Sequence, residues 1–151
     1  MSSTARLGIR HQLDAEQLVW TLLHNDYPSL MFPHVSIQSE IGINTSALSS
    51  TGEVVVYSVG SPWQTGRVKA WMWQFPLTLS VFGPDADTTF DLASDLYEKV
   101  VGWEFKPATA FGSVGKVDAK GFHRVAGSKE MGGKTVKSYV GEFQLTAADP
   151  F

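Results

Sequence analysis

The longest regular pattern of apolar and polar positions covers residues 71–82, with the sequence WMWQFPLTLSVF. Every second residue from Trp71 to Val81 is apolar, which is the period of a β-strand with one buried face. A strand of this length would span about 40 Å, well beyond the usual five or six residues. We therefore predict a hairpin that leaves the body of the fold, with its Trp71 end furthest out. Pro76 should lie at an edge or a bulge, because proline cannot donate a ladder hydrogen bond.

Two other segments carry apolar residues at helical spacing, and each begins with a carboxylate that can cap a helix. The first covers residues 14–24, where Asp14 is the predicted cap and Pro28 prevents continuation. The second, DADTTFDLASDLYEKVVGW, covers residues 85–103. Its predicted buried face consists of Phe90, Ala93, Tyr97 and Val100, with Leu92, Leu96 and Val101 beside them.

Shorter β-type patterns complete the predicted order α-β-β-β-α-β-β. The fold class is α+β, with a mixed or antiparallel β-sheet that has a long hairpin and is packed by two amphipathic helices. Gly141 should sit at a bulge, because the apolar alternation changes phase there, and residues 127–133 (GSKEMGG) are predicted to be a mobile loop. The remaining predicted strands cover residues 34–41, 53–59, 114–124 and 135–145.

Composition narrows the class of protein. The chain has 151 residues, which predicts one domain over residues 1–151. Five Trp beside only 18% charged residues suit either a protein with part of its surface in an interface or a core that uses Trp. It has no cysteine, which excludes disulfides, a thiol nucleophile and cysteine-bound zinc. No signal peptide or membrane-spanning run is apparent, so we expect synthesis in a cytoplasm. The basic residues are diluted by acids, which argues against a nucleic-acid-binding patch on one subunit.

Three carboxylates in FGPDADTTFD, Asp85, Asp87 and Asp91, are the clearest candidates for chemistry. An EF-hand loop would need a glycine at the position that Phe90 occupies. Carboxylates at a helix start satisfy its free N–H groups, so we interpret Asp85 and Asp87 as helix caps. A metal-dependent enzyme that uses the three carboxylates remains a remote alternative.

Other catalytic patterns are missing from the sequence. The four histidines are widely separated, there is no G-x-S-x-G motif, and GSVGKVDAKG lacks the P-loop spacing. We therefore assign no catalytic residue, no cofactor and no metal ligand, and predict that the protein is not an enzyme. A module that binds a small ligand would need a deep pocket.

The order of these elements resembles the tail terminator proteins of long-tailed bacteriophages. The resemblance covers about residues 10–147 and rests on PLTLSVFGPDADTTFDLASDLYEKVVGW, a strand and a small-residue turn that feed an amphipathic helix ending near a Gly-Trp pair. It also rests on the final GKTVKSYVGEFQLTA, with Gly133-Lys134 and the aromatic Tyr139. The aromatic WMWQF strand departs from the family pattern.

The resemblance implies a structural virion protein of the tail or neck, assembled in the host cytoplasm. Its partners would be copies of itself in a hexameric ring, the tail-tube protein, and the head–tail connector or stopper protein, with DNA only passing through the channel and no membrane. The ring would end tube polymerisation and join tail to head. A head–tail stopper or a tail-tube protein is the alternative. The residues that we predict at the subunit interface are Trp63, Arg67, Lys69, Trp71 and Trp73.

Overall fold

The structure is a computed structural model that describes residues 12–39, 52–64, 72–125, 129–131 and 134–148, with 129–131 and 134–136 described as backbone only. Two α-helices and seven strands are assigned in these residues, and a short 3₁₀ helix, Gly102–Phe105, follows the second α-helix. In chain order the elements are α1 (Ala15–Asp26), β1 (Val35–Ser39), β2 (Glu53–Val59), β3 (Trp63–Gln64), β4 (Met72–Gly83), α2 (Ala86–Val101), β5 (Ser113–Arg124), β6 (Lys129–Met131) and β7 (Lys134–Ala148).

The strands form a sheet in the order β1-β2-β4-β7-β5, with β3 paired to β4 and β6 paired to β7. β1 and β2 are parallel and the other pairs are antiparallel. The predicted α+β class with a mixed sheet and two packed helices is therefore confirmed. The predicted order lacked β3 and β6, because strands of two and three residues are too short to show a period.

Both helices pack on one face of the sheet, which we call the helix face. On β4 the alternate residues from Phe75 to Val81 are buried in the core, and the first strand-like pattern of the sequence is thereby confirmed. α1 contributes its own apolar stripe to the same core, and α2 covers β7 at Tyr139 and Phe143. The opposite face of β4 and β7 carries mainly polar side chains: Thr78, Ser80, Glu142, Gln144 and Thr146.

α1 begins and ends where its sequence predicts. The Asp14 carboxylate accepts a hydrogen bond from the Gln17 N–H at 3.1 Å, which satisfies a free donor of the first turn. The helix ends at Asp26, two residues before Pro28. Its fully buried stripe consists of Ala15, Leu18, Val19, Leu22 and Leu23.

α2 turns a different stripe to the core from the predicted one. Phe90 and Tyr97 are exposed, so their assignment to the buried face was wrong. The buried stripe is centred about a sixth of a turn from the predicted one, so both rings lie at its margin, against Tyr139 and Phe143 on β7. The residues that the helix buries are Thr89, Leu92, Ala93, Leu96 and Val100.

β4 does not leave the body of the fold as predicted. It lies inside the sheet, and β7 pairs with it from Met72 to Gly83. Pro76 is therefore not on an edge strand, and it lies where β2 ends and β3 begins. There its carbonyl accepts a hydrogen bond from the Gly60 N–H at 2.9 Å, just beyond the last β2 pair, Val59 with Leu77.

Two other predictions in the last third of the chain were wrong. Lys129–Met131, expected in a mobile loop, form β6. Gly141 is not the bulged residue: it pairs with Phe122 at one end of an irregularity whose extra residue lies on β5, where Gly121 has a φ of 78°. The alternation keeps its phase in the structure, since Tyr139, Gly141, Phe143 and Leu145 are all buried, and a Cβ on Gly141 would lie 2.9 Å from the Phe122 ring that covers it.

Candidate subunit interface

Of the five residues predicted at a subunit interface, the structure describes Trp63 and Trp73. Arg67, Lys69 and Trp71 lie outside the described residues. Trp63 is 47% exposed in β3, whereas Trp73 is partly buried in β4 and packs against the core.

Trp63 and Trp73 do not form one patch. Residues directly opposite each other in paired strands share a face, and Trp63 is opposite Gln74 while Trp73 is opposite Gln64. Since side chains alternate along β4, the two Trp lie on opposite faces of the sheet, and Trp73 is on the helix face. Trp63 alone is therefore displayed away from the core.

The aspartates of FGPDADTTFD do not converge on one point. The Asp85 carboxylate accepts from the Thr88 N–H at 3.1 Å and is the N-cap of α2. Asp87, also predicted as a cap, is instead an exposed residue of the first turn, and Asp91 is exposed one turn later. Among the described residues, no group of three or more His, Asp or Glu side chains is arranged to hold a metal ion.

A surface with several exposed apolar side chains lies along the outer side and the end of α1. Trp20 is 45% exposed, and its ring stacks on that of His24 with 4.2 Å between centroids. His24 Nδ1 lies 2.8 Å from the Trp20 carbonyl oxygen, which fixes the imidazole beneath the indole. The two rings are thus held as one aromatic platform on the solvent side of the helix.

The turn that follows α1 extends this surface with aliphatic side chains. Leu30 is 96% exposed and Met31 is 73% exposed. The turn itself is ordered, because the Met31 and Phe32 N–H groups both donate to the Pro28 carbonyl, at 3.0 and 2.9 Å. Phe32 packs inward on Tyr27, with 5.1 Å between the ring centroids. Leu30 and Met31 are therefore displayed by a fixed backbone.

A cleft of about 260 Å³ lies beside this turn. Its walls come from the end of α1 and from β1, and they are largely apolar. We call Trp20, His24, Leu30, Met31 and this cleft the helix-end surface. The residues that line the cleft are His24, Tyr27, Ser29, Phe32, Pro33, Val35, Ser36 and Ile37.

Buried polar contacts anchor the helix-end surface to α2. The Tyr27 hydroxyl donates a hydrogen bond to the Asp95 carboxylate, and Trp103 Nε1 donates to Asp26 Oδ2 at 2.7 Å. Lys106 Nζ lies 3.8 Å from the other Asp26 oxygen. Burial raises the pKa of Tyr27, and the bond to Asp95 raises it further, so Tyr27 is a neutral donor. We call these contacts the α1–α2 junction.

A second, different surface lies at the other end of α1. A cleft of about 400 Å³ opens between the start of the helix and the segment after β2, and its lining includes Asp14, Glu16 and Pro62. Trp63 follows Pro62 directly. Its side chain is on the sheet face opposite the helices, so the cleft and Trp63 are two separate features at this end of the molecule, which together we call the hairpin-end surface. α1, with 12 residues, is about 18 Å long, so the cleft lies about that far from the turn that carries Leu30 and Met31.

Glu53 is a half-buried carboxylate at the start of β2. Burial raises the pKa of Glu53, and the charge of Asp91 raises it further. His34, whose Nε2 lies 4.0 Å from Glu53 Oε1, lowers this pKa. His34 also accepts the Glu53 N–H through its backbone carbonyl, at 3.2 Å. This contact ties the turn after α1 to the sheet, and no chemistry follows from it.

The sequence contained one signal for the helix-end surface that was not used. The run Leu30-Met31-Phe32 is apolar but lies between Pro28 and Pro33, where neither a helix nor a long strand can form. Apolar residues in such a turn are either buried under another element or displayed.

No known family model matches the chain, and a search of curated proteins finds no similar sequence. Within the described residues, neither helix combines the length and apolar character needed to cross a bilayer.

Proposed function

We propose that this chain is a structural subunit of a closed ring, a tail terminator that caps the tail tube of a long-tailed bacteriophage and joins it to the head connector. The observation that carries the proposal is the pair of unlike surfaces at the two ends of α1. One displays Leu30 and Met31 beside an apolar cleft, and the other has a polar cleft at the start of α1, with Trp63 exposed on the opposite face of the sheet.

Two unlike surfaces on one subunit suit head-to-tail association. In such an interface one surface of a subunit meets a different surface of the next, and a ring forms when the rotation between subunits closes. Exposed Trp, Leu and Met side chains are the kind of anchors that such interfaces bury, whereas single exposed apolar residues need no explanation. Here Leu30 and Met31 stand together on a fixed turn, and Trp20 lies on the helix before them.

The α+β fold also supports the proposal, since it is the class that the resemblance implies. In this proposal the ring is hexameric, its faces bind the tail-tube protein and the connector or stopper protein, and DNA passes through its centre. The ring belongs to the neck of the virion and is assembled in the host cytoplasm.

Mass photometry of the purified protein, alone and with tail tubes of the encoding phage, tests the ring. Leu30→Ser/Met31→Ser removes the anchors at the helix end, and Trp63→Ala removes the anchor at the hairpin end. Each variant should stay monomeric where the wild type forms rings. Phe90→Ser, an exposed apolar residue outside both surfaces that matches Trp63 in exposure, is the control and should assemble normally.

Mixing the two interface variants tests the head-to-tail arrangement. Each variant keeps one intact surface, so an equimolar mixture should form dimers through the one remaining complementary pair and should not form rings. A wild-type protein that stays monomeric with and without tail tubes would overturn the proposal. Many stacked copies along each tail, instead of one ring, would identify a tube subunit.

A further inference from the structure

The outer edge of β5 carries a second inference, which does not depend on the ring. β7 is the neighbour of β5 on one side, and in the part of the chain that the structure describes no strand pairs with its other side. The strand has 12 residues, which is long for an open edge. An open edge offers unpaired N–H and C=O groups to another chain.

The backbone groups that face outward follow from one hydrogen bond. The Val117 N–H donates to Glu104 Oε2 at 3.2 Å, so it points away from β7 and toward the 3₁₀ helix. The backbone N–H and C=O groups of successive residues in an antiparallel strand point to opposite sides. Those of Ala119 therefore also point outward, while those of Asp118 point to β7. Glu104 thus covers the edge at Val117.

Two irregularities define the length of edge that can pair. The register with β7 shifts between Val114 and Lys116, and again between Ala119 and Phe122. Bulges twist a strand and interrupt its ladder, so they limit pairing at both ends. Between them, Lys116 to Ala119 keep a regular register, opposite Thr146 to Phe143 of β7, and Lys120, the next residue, still lies on the same face as Asp118.

The charges on this short stretch alternate in sign. Lys116, Asp118 and Lys120 are exposed, and Asp118 and Lys120 both line a depression of about 220 Å³ on the face opposite the helices. Lys116 Nζ lies 3.7 Å from Asp118 Oδ2. A strand with the order plus, minus, plus can meet an antiparallel copy of itself with unlike charges opposite each other, or with like charges, depending on the register.

Backbone direction and charge together select the register. The outward-pointing N–H and C=O groups of the two β5 strands face each other only when the two-fold axis passes through Val117, Asp118 or Ala119. An axis at Asp118 puts Asp118 opposite itself and lysine opposite lysine, which is repulsive. An axis at Val117 would break the bond to Glu104. An axis at Ala119 keeps that bond and places Asp118 opposite Lys120 twice.

We propose that β5 pairs antiparallel with β5 of a second copy of this chain, about a two-fold axis at Ala119, with two Asp118–Lys120 ion pairs across the axis. The contact is isologous, and it is distinct from the head-to-tail contact of the proposed ring. The paired stretch is short, so the dimer should be weak and should form reversibly as concentration rises, as is typical of small interfaces.

A charge-exchange experiment tests this pairing. Asp118→Lys makes the stretch uniformly positive, and Lys116→Asp/Lys120→Asp makes it uniformly negative. Sedimentation equilibrium up to about 1 mM, a concentration suited to weak association, should show dimers for the parent protein and monomers for each variant alone. An equimolar mixture of the variants should dimerise, because unlike charges again lie opposite each other.

All samples carry Leu30→Ser/Met31→Ser, so that ring contacts do not contribute and a failure of the ring proposal leaves this test unaffected. Circular dichroism checks that each variant is folded. A parent that stays monomeric, or a mixture of the variants that dimerises no more than either variant alone, would overturn the pairing. Dimers that Asp118→Lys leaves intact would place the contact elsewhere on the molecule.

Discussion

The α1–α2 junction and the helix-end surface lie next to each other and use the same kinds of residue in opposite ways. In the junction Trp103 is fully buried and its indole N–H has a partner, Asp26. On the helix-end surface Trp20 is half exposed and stacks on His24. The junction holds the two helices together, whereas the surface holds nothing within one subunit. Substitutions should separate these roles, since one region contributes to folding and the other to association.

The largest difference in unfolding free energy should be between two Trp substitutions, Trp103→Ala in the junction and Trp20→Ala on the helix-end surface. Trp103→Ala removes a completely buried side chain and leaves Asp26 without its indole donor, so we expect a loss of about 3–5 kcal/mol in unfolding free energy. Trp20→Ala should cost less than about 1 kcal/mol, because its ring is half exposed and alanine favours the helix. Urea unfolding measures both values, and equal losses would contradict the distinction.

The Tyr27 hydroxyl tests the polar part of the junction. Tyr27→Phe leaves the Asp95 carboxylate without its donor in a partly buried site, and we expect a loss of about 1–3 kcal/mol. Tyr97→Phe is the control, because Tyr97 lies exposed on the same helix as Asp95, and its loss should be within about 0.5 kcal/mol. If Tyr27→Phe proved as mild as Tyr97→Phe, the bond to Asp95 would contribute little to stability.

Sequence patterns predicted the parts of the fold that have a strong period or a cap. The alternation of β4, the α1 stripe and the caps at Asp14 and Asp85 all depend on neighbours in the chain, and they agree with the structure. The partners of β4 could not be predicted in this way. Pairing with β7 joins residues far apart in sequence, and this pairing places Pro76 inside the sheet.

The candidate interface was harder to predict, because exposure depends on what the rest of the chain covers. Trp20 and Trp103 both follow apolar residues in helical segments, yet only Trp103 is covered, by the end of α1. Phe90 and Tyr97 were misassigned for a related reason, since the sheet beneath α2 determines which stripe is buried.

We expect Glu53 to make a smaller, pH-dependent contribution to the unfolding free energy. This residue lies beside the turn that carries the helix-end surface. Its raised pKa means that the folded protein keeps this proton at a pH where the unfolded chain releases it. Unfolding free energy should therefore fall as pH rises from about 4.3, the ordinary glutamate pKa, through the raised value. Glu53→Gln removes this ionisation, so its unfolding free energy relative to wild type should increase across that window.

Urea unfolding at pH values across this window measures the effect, with Glu98→Gln as an exposed control on α2. Differences between Glu53→Gln and wild type that stay constant with pH would show that Glu53 ionises alike in the folded and unfolded states.

The smallest effect on stability should come from the substitutions that most affect assembly. Leu30→Ser/Met31→Ser changes two side chains that are almost fully exposed, while the backbone bonds to Pro28 and the Phe32–Tyr27 contact remain. We expect the unfolding free energy to change by less than about 0.5 kcal/mol. The matched change Phe32→Ser, one position further along, removes the inward-packed ring and should cost more than about 1 kcal/mol. If the double variant lost as much stability as Phe32→Ser, Leu30 and Met31 would belong to the core, and the helix-end surface could not be an interface.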